Sequence, residues 1–136
     1  MIGTNNLDRS ELTSLVRAPR YEALQSAALD CVDTGLSTVL VAPFSSEIRR
    51  EDAWNTFTDP LKVAGARPVL VWIDITPKLL LERLRSRRAE RDMHKLADPR
   101  AFINGIDLSA PAIPHVRVNA ACSAREQVQQ ITSQVA

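Results

Sequence analysis

Five arginines within nine residues are the side chains in this sequence best suited to chemistry. Arg83, Arg87 and Arg91 recur at four-residue spacing, while Arg85 and Arg88 fall between them. Residues four apart share one face of a helix. The guanidinium group is always charged and forked, which matches the oxygens of a polyphosphate. The spacing therefore predicts a clamp in which the first three contact phosphates and stabilise charge on a transferring group.

A solvated, structural role for the same arginines stays open. Glu82, Glu90 and Asp92 are close enough in sequence to pair with them, and ion pairs on an exposed helix contribute little to stability. The context favours a ligand, because the run follows an apolar strand pattern over Val69–Asp74 and a Thr76-Pro77 helix start. The elements predicted here are a strand over about 68–74 and a lid helix over about 77–94.

Composition limits the classes of protein that fit. The 136 residues predict a single domain, 1–136, with 45% apolar and 24% charged residues. No apolar run approaches the roughly 20 residues of a membrane span, and the N-terminus lacks a signal-peptide pattern. We therefore expect a cytoplasmic protein with no membrane partner. The two cysteines, Cys31 and Cys122, have no metal-ligand spacing and are expected to be buried free thiols.

The net charge of +1 hides a local cationic surface. Residues 78–95 carry a balance of +4, and the rest of the chain carries −3. A compact cationic patch on a mildly acidic body suits a nucleotide or a small phosphorylated molecule. Aromatic residues make up only 4% of the chain, which argues against a nucleic-acid partner that is bound through base stacking.

The hydrophobic pattern predicts an α/β fold, a small parallel sheet of at least three strands flanked by helices. Strands are expected over about 39–44, 68–74 and 115–118. The first has no polar alternation, so both of its faces should be covered. Helices should connect the strands as right-handed crossovers. Predicted helix starts lie at Asp8, Pro19, residue 47, Thr76, Asp98 and Ser123.

Ligands of such folds bind at the carboxyl ends of the strands. Ser45, Ser46 and Arg49 follow the first predicted strand and could contact an acceptor substrate, with Arg17, Arg20 and Tyr21 lining the same pocket. Helix capping with exposed arginines is the alternative for this segment, and is favoured by the residue types alone.

Other polar residues near predicted strand ends are weaker candidates. Asn119 follows the last strand and is a candidate cofactor contact, and Asp74 could orient a metal-bound water or cap the next helix. His94 and His115 are isolated in the sequence, and we predict no metal ligand among them.

Three segments together resemble the P-loop kinase-like ATPases, the group that includes gluconate, shikimate and zeta-toxin-type kinases. Val69–Asp92, VLVWIDITPKLLLERLRSRRAERD, is similar to their fourth strand and lid helix, with the lid pattern R-L-x-x-R-x-x-x-R-D. Tyr21–Arg49 looks like their helix and third strand, and Pro114–Ile131 like their last strand and helix. The resemblance implies ATP and Mg²⁺ as cofactors, Arg83, Arg87 and Arg91 as catalytic lid residues, and Lys95 as a phosphate contact.

The sequence departs from that family at its phosphate loop. No GxxxxGK[ST] motif is present, because each of the four glycines is isolated: Gly3, Gly35, Gly65 and Gly105. We therefore expect a P-loop NTPase-like core without its first βα unit, inactive as an isolated chain; Asp8 is expected to cap a helix rather than to hold magnesium. The alternative is a non-catalytic domain that binds anions or a partner. Strand edges left open by the missing unit predict a homodimer.

Overall fold

The protein is mixed α/β, with helices flanking a small parallel sheet. The computed structural model describes the backbone of residues 9–135 and the side chains of residues 15–135. The predicted cap at Asp8 lies outside these residues. The chain divides into two compact units, Met1–Pro68 and Val69–Ala136, where the sequence predicted one domain.

Unit 1 is built from two helices, α1 (Arg9–Asp33) and α2 (Glu51–Val63). The sequence predicted a helix start at Pro19, but Pro19 lies inside α1. Proline inside a helix removes one backbone hydrogen bond and crowds the carbonyl four residues earlier, so α1 continues here despite an unfavourable residue. Gly35 ends α1 as predicted, with a φ of 74° and the Leu36 N–H bonded to the Cys31 carbonyl at 2.9 Å.

The core of unit 1 joins the two helices through aromatic rings. Ala28 of α1 packs against Phe57 and Leu61 of α2, and Tyr21 and Phe44 cover this cluster. The three rings meet edge to face, with centroids 5.3 to 6.2 Å apart, a geometry that places positive ring edges on negative ring faces. Packing of α1 on α2 therefore depends on Phe57.

The predicted strand over 39–44 is not part of a sheet. Leu40 and Phe44 pack on the core, while Val39 and Val41 are 87% and 86% exposed. The expectation that both faces would be covered is therefore wrong. No hydrogen bond joins the backbone of residues 37–43 to another described residue, so this apolar segment has one buried face and no partner strand.

Unit 2 contains the sheet. Strand β1 (Val71–Asp74) pairs in parallel with β2 (Val116–Asn119), and Asp74 lies opposite Asn119 at the carboxyl ends. The described residues form two strands, and a third is not among them. The helices are α3 (Pro77–Arg87), α4 (Met93–Ala97), α5 (Pro99–Asn104) and α6 (Ala124–Val135), with a 3₁₀ turn over Glu90–Asp92.

Three helix starts in unit 2 confirm their sequence predictions. The side chains of Thr76 and Asp98 accept hydrogen bonds from backbone N–H groups three residues on, at 3.3 and 3.0 Å. The Ser123 N–H donates to Glu126 at 2.8 Å, and the Glu126 N–H donates to the Ser123 hydroxyl at 3.3 Å. This reciprocal capping lowers the pKa of the Glu126 carboxyl, mainly through the Ser123 hydroxyl. Local signals therefore fix where α3, α5 and α6 begin.

We expect Phe57→Ala to lower the free energy of unfolding by about 3–5 kcal/mol, because it removes the ring on which both other aromatic side chains pack. Chemical denaturation measured by circular dichroism checks this. Val63→Ala, on the same helix but at a position that is 90% exposed, is the matched control and should change the value by less than about 0.5 kcal/mol. Equal effects of the two substitutions would contradict the assignment of the core.

Candidate functional site

The cationic segment after β1 has a different path from the single helix predicted over 77–94. Helix α3 ends at Arg87, and Arg88 adopts the left-handed conformation with a φ of 47°. Arg91 then lies in the 3₁₀ turn before α4. This break in the helix allows the Asp92 carboxylate to contact Arg87 at the end of α3. Arg83 and Arg87 thus share a helix, and Arg91 reaches the same region by way of a turn.

Asp92 is the centre of this arrangement. Its side chain is fully buried; its Oδ2 accepts from Arg87 Nε at 2.8 Å and its Oδ1 accepts from Lys95 Nζ at 2.9 Å. Lys95 also lies over the Phe102 ring, 5.8 Å from its centroid. The hydrogen bonds from Lys95 and Arg87, with their positive charges, lower the pKa of Asp92 against the opposing effect of burial.

Sequence reasoning missed this role of Asp92. The acidic residues of the run were interpreted together as surface partners, yet Asp92 is buried whereas Glu82 and Glu90 are exposed. The signal that could have found it is its position, since a single acid five residues after Arg87 and three before Lys95 can reach both if the helix breaks between them. A buried carboxylate with two cationic donors is a fixed structural element, because removing either partner leaves charge uncompensated.

Arg83 is also engaged within unit 2. Its Nη2 donates to the backbone carbonyl of Ala120, a fully buried residue just after β2. Arg91, by contrast, is exposed and makes no polar contact with the described residues. Of the three predicted lid residues, two therefore hold the structure together through one edge of their guanidinium groups, and Arg91 is free to meet a ligand.

The carboxyl ends of the strands form a polar pocket of about 520 Å³. Arg117 Nε donates to Asp74 Oδ2 at 2.9 Å, which occupies this carboxylate. The Asn119 Oδ1 accepts from the Ala121 N–H at 2.9 Å, and the Asn119 backbone N–H donates to Gln130 Oε1 at 2.9 Å. Asn119, predicted as a cofactor contact, thus lines the pocket with its amide oxygen already bonded.

The predicted acceptor residues lie in unit 1. Arg17 Nη2 donates to the Ser46 hydroxyl at 2.8 Å and lies 3.5 Å from Glu47 Oε2. Its guanidinium carbon is 5.4 Å from the centroid of the Tyr21 ring. The Tyr21 hydroxyl accepts from the Phe44 N–H at 2.8 Å, which fixes the turn that carries the serines. The structure therefore brings Arg17, Tyr21 and Ser46 together, as the sequence suggested.

The other predicted acceptor residues are also near this turn. Ser45 lines a groove with Arg17, Arg20 and Tyr21, and Arg49 is half-buried in the same turn. The helix expected from residue 47 begins only at Glu51, because residues 45–49 form a separate turn closed by the Arg50 N–H and the Ser46 carbonyl at 3.0 Å. Both serines are thus turn residues, Ser45 lines the groove, and neither caps α2.

A divalent metal does not fit the residues in the described part of the chain. No group of three His, Cys, Asp or Glu side chains lies together there, and the Asp74 carboxylate is bonded to Arg117. His115 Nδ1 is 2.8 Å from the Ile113 carbonyl, and His94 lies exposed on α4. Oxyanions fit better, since the exposed Arg91 has no polar partner among the described residues and directly precedes Asp92, which binds the partly exposed Arg87 and Lys95.

Comparison with protein-family models, curated proteins and solved structures found no match. None of the helices in residues 9–135 is long and apolar enough to cross a membrane.

We expect Asp92→Asn to lower the melting temperature at pH 7 and to flatten its dependence on acid. The folded pKa of Asp92 lies below its unfolded value of about 3.9, so its stabilisation is present above that pH and is lost as the pH falls through the folded pKa. Thermal melts between pH 7 and pH 2 measure both effects.

The control for this substitution is Glu90→Gln, which removes a carboxylate from the same turn at an exposed position. Its melting curve should follow the parent at every pH. If Asp92→Asn also followed the parent through the acid range, the carboxylate would not be the group that holds the turn.

Proposed function

We propose that this chain is an ATP-binding, kinase-like phosphotransferase domain whose cationic segment contacts the phosphates of the nucleotide. The observation that carries the proposal is the Asp92 network, which fixes Arg87 and Lys95 on one carboxylate that directly follows the exposed Arg91 in the chain. Three cations and one carboxylate leave a positive balance at the end of α3, the first helix after β1. As an ATP-dependent domain it would work in the cytoplasm.

The network leaves enough hydrogen-bond donors for an oxyanion. A guanidinium group has five N–H donors and an ammonium group has three. Arg87 uses Nε and Nη2 on Asp92, and Lys95 uses one bond. Nη1 of Arg87 and the remaining Lys95 donors can turn to a phosphate, and half of the Arg87 side chain is exposed. Because Asp92 already fixes both side chains, binding orders fewer rotamers.

The proposed core is that of a P-loop kinase-like ATPase with at least three strands. The parallel pair of β1 and β2 and the cationic segment support this assignment. The phosphate loop has no counterpart in these 136 residues, and Gly35 and Gly65 have positive φ values in the turns that end α1 and α2. We therefore assign phosphate binding to this chain, with Ser45, Ser46 and Arg49 as acceptor contacts, and expect no turnover from it alone.

A non-catalytic, anion-binding domain is the second candidate. It is favoured by the engagement of Arg83 with the Ala120 carbonyl and of Arg87 with Asp92. A side chain that stabilises charge on a transferring group must be free to move toward that group. Arg83 and Arg87 are instead bonded within unit 2 and hold α3 in place. Both candidates require an anion at Arg91, and they differ in whether phosphate is transferred.

The central test is the thermal shift produced by ATP without added metal. We expect ATP at 100 times its dissociation constant to stabilise the parent by about 2.7 kcal/mol, and added salt to reduce this shift. Arg91→Gln should abolish most of this shift, because it removes the guanidinium group that is proposed to contact the phosphates. The fold should survive, since the Arg91 side chain makes no polar contact with the described residues. Differential scanning calorimetry gives the measurement.

The matched control is Arg125→Gln, which removes the same charge from an exposed position on α6. It should keep the ATP shift of the parent. An equal loss in both variants would show that only net charge matters, and no shift in the parent would refute phosphate binding by the cationic segment.

We also propose that two copies of the chain associate through the backbone edge of residues 37–43. This segment forms no hydrogen bond with other described residues, and no charged residue lies between Thr34 and Ser46 to oppose pairing. Native edge strands usually carry charge or proline against such pairing, and here the proline, Pro43, stands at the last position of the segment. Val39 is exposed beside the open edge, so apolar contact would add to the hydrogen bonds of a paired strand.

Val39→Pro should shift the chain from dimer to monomer at tens of micromolar in sedimentation equilibrium, because proline removes a backbone donor from the edge. Val39→Thr keeps the donor and the branched shape, and should remain dimeric. A monomeric parent, or a dimer that survives Val39→Pro, would place association elsewhere.

A further inference from the structure

A groove in unit 1 runs along α1 and ends at its arginines. Its volume is about 610 Å³, which lies within the range of small-molecule sites. One wall is a stripe of α1 from Arg17 to Ala27, about 15 Å long at the rise of an α-helix. The other wall is the segment over 41–45. A small, elongated molecule could lie between them.

The two ends of the groove differ in chemistry. Arg17 and Arg20 lie at one end, and Arg20 is exposed with no polar partner among the described residues. Toward the other end the side chains of the walls are all apolar, Ala23, Leu24 and Ala27 on α1 and Val41, Ala42 and Pro43 opposite. A ligand that fits both ends is amphiphilic, with a charged group at one end and an apolar chain along the rest. A hydroxylated chain would lose its hydrogen bonds to water and gain none from the apolar side chains of the walls.

The charge at the cationic end matches one anionic group. Arg17 is held from three sides, by the Ser46 hydroxyl, the Tyr21 ring and the carboxylate of Glu47. Glu47 Oε2 is buried and accepts no hydrogen bond from the described residues, so it stabilises Arg17 through charge. Two arginines and this carboxylate leave one net positive charge, and Arg20 supplies its donors.

We infer that this groove binds a free amphiphilic anion, an unbranched apolar chain with a carboxylate or phosphate group at one end. The headgroup lies between Arg20 and Arg17, and the chain covers Val41, which is 86% exposed without it. Forked guanidinium groups match the two oxygens of either headgroup. Ala23 and Ala27 leave room for the chain because their side chains are single methyl groups.

Under the proposed function this ligand is the acceptor substrate, an assignment that depends on the cationic segment of unit 2. Binding itself depends on unit 1 alone. Pairing of two copies through the backbone edge of residues 37–43 leaves binding of the amphiphile possible, because the side chains of an extended strand project at right angles to its edges. Binding of ATP and binding of the amphiphile can therefore be tested separately in the same protein.

Isothermal titration of the full chain with octanoate below its micellar concentration tests the inference, with octyl phosphate, octanol and acetate as comparisons. We expect octanoate to bind at least about tenfold more tightly than octanol or acetate, since each lacks one half of the recognised chemistry. Octyl phosphate should also bind. Equal affinity for octanol would show that the arginines contribute nothing and would overturn the inference.

Variants locate the site. Arg20→Gln should weaken octanoate about tenfold and leave octanol unchanged; Ala27→Leu should weaken both, because its larger side chain fills the groove. Arg20 and Ala27 are exposed, so the fold should survive both changes, and thermal melts check this. Arg91→Gln should bind octanoate like the parent even though it loses the ATP shift.

Two outcomes would assign the groove differently. Loss of octanoate binding in Arg91→Gln would place the anion in unit 2. If the parent sediments as a dimer and binds no octanoate, the monomeric variant Val39→Pro is tested next. Absence of binding in that variant too would show that the groove takes no such ligand. Normal octanoate binding in a chain that shows no ATP shift would keep this inference and reject the proposed function.

Discussion

A single buried carboxylate determines the shape of the cationic segment. Asp92 has lost all contact with water and has gained two cationic donors from opposite sides, Arg87 at the end of α3 and Lys95 in α4. A carboxylate that is withdrawn from water is tolerated only when it is paired. The turn between the helices, the position of Arg91 and the packing of Lys95 on Phe102 all follow from that requirement.

The same constraint divides the arginines by role. The sequence treats them as equivalent, since all are charged and closely spaced, but the fold gives each a different neighbour. Arg83 donates to a backbone carbonyl and Arg87 donates to a carboxylate, whereas Arg91 is exposed and has no polar partner among the described residues. Preorganised cations beside one free cation are a reasonable design for anion recognition, because much of the ordering has occurred before the ligand arrives.

Local chemistry made the helix starts of unit 2 predictable, and apolar patterns located β1 and β2. Long-range contacts made the fate of the 39–44 segment and the break in the lid unpredictable. Thr76, Asp98 and Ser123 satisfy backbone donors within three residues of themselves, so their sequence context is sufficient. The segment over 39–44 looks like a strand because its residues are apolar, but a strand also needs a partner. The break at Arg88 depends on the burial of Asp92, which helical spacing does not reveal. In the candidate site, the sequence predicted that Ser46 and Arg17 lie near the same pocket, and the two side chains are hydrogen-bonded. The groove wall that contains Ala23 and Ala27 was not predicted, because small apolar residues give no sequence signal for a groove.

Two residues with side chains, Phe44 and Arg88, adopt the left-handed backbone conformation, with φ values of 46° and 47°. This conformation costs roughly 1–2 kcal/mol for an ordinary L-residue, and each lies beside a polar contact that holds the turn, the Tyr21 hydroxyl in one case and Asp92 in the other. Tolerance to substitution should therefore be narrow and chemically specific at these positions. Glycine or asparagine would relieve the backbone at residue 88, whereas valine or isoleucine would favour an extended path that carries Asp92 away from Arg87. Sequence drift in this protein is thus limited by backbone geometry at two points where neither charge nor hydrophobicity would reveal a constraint.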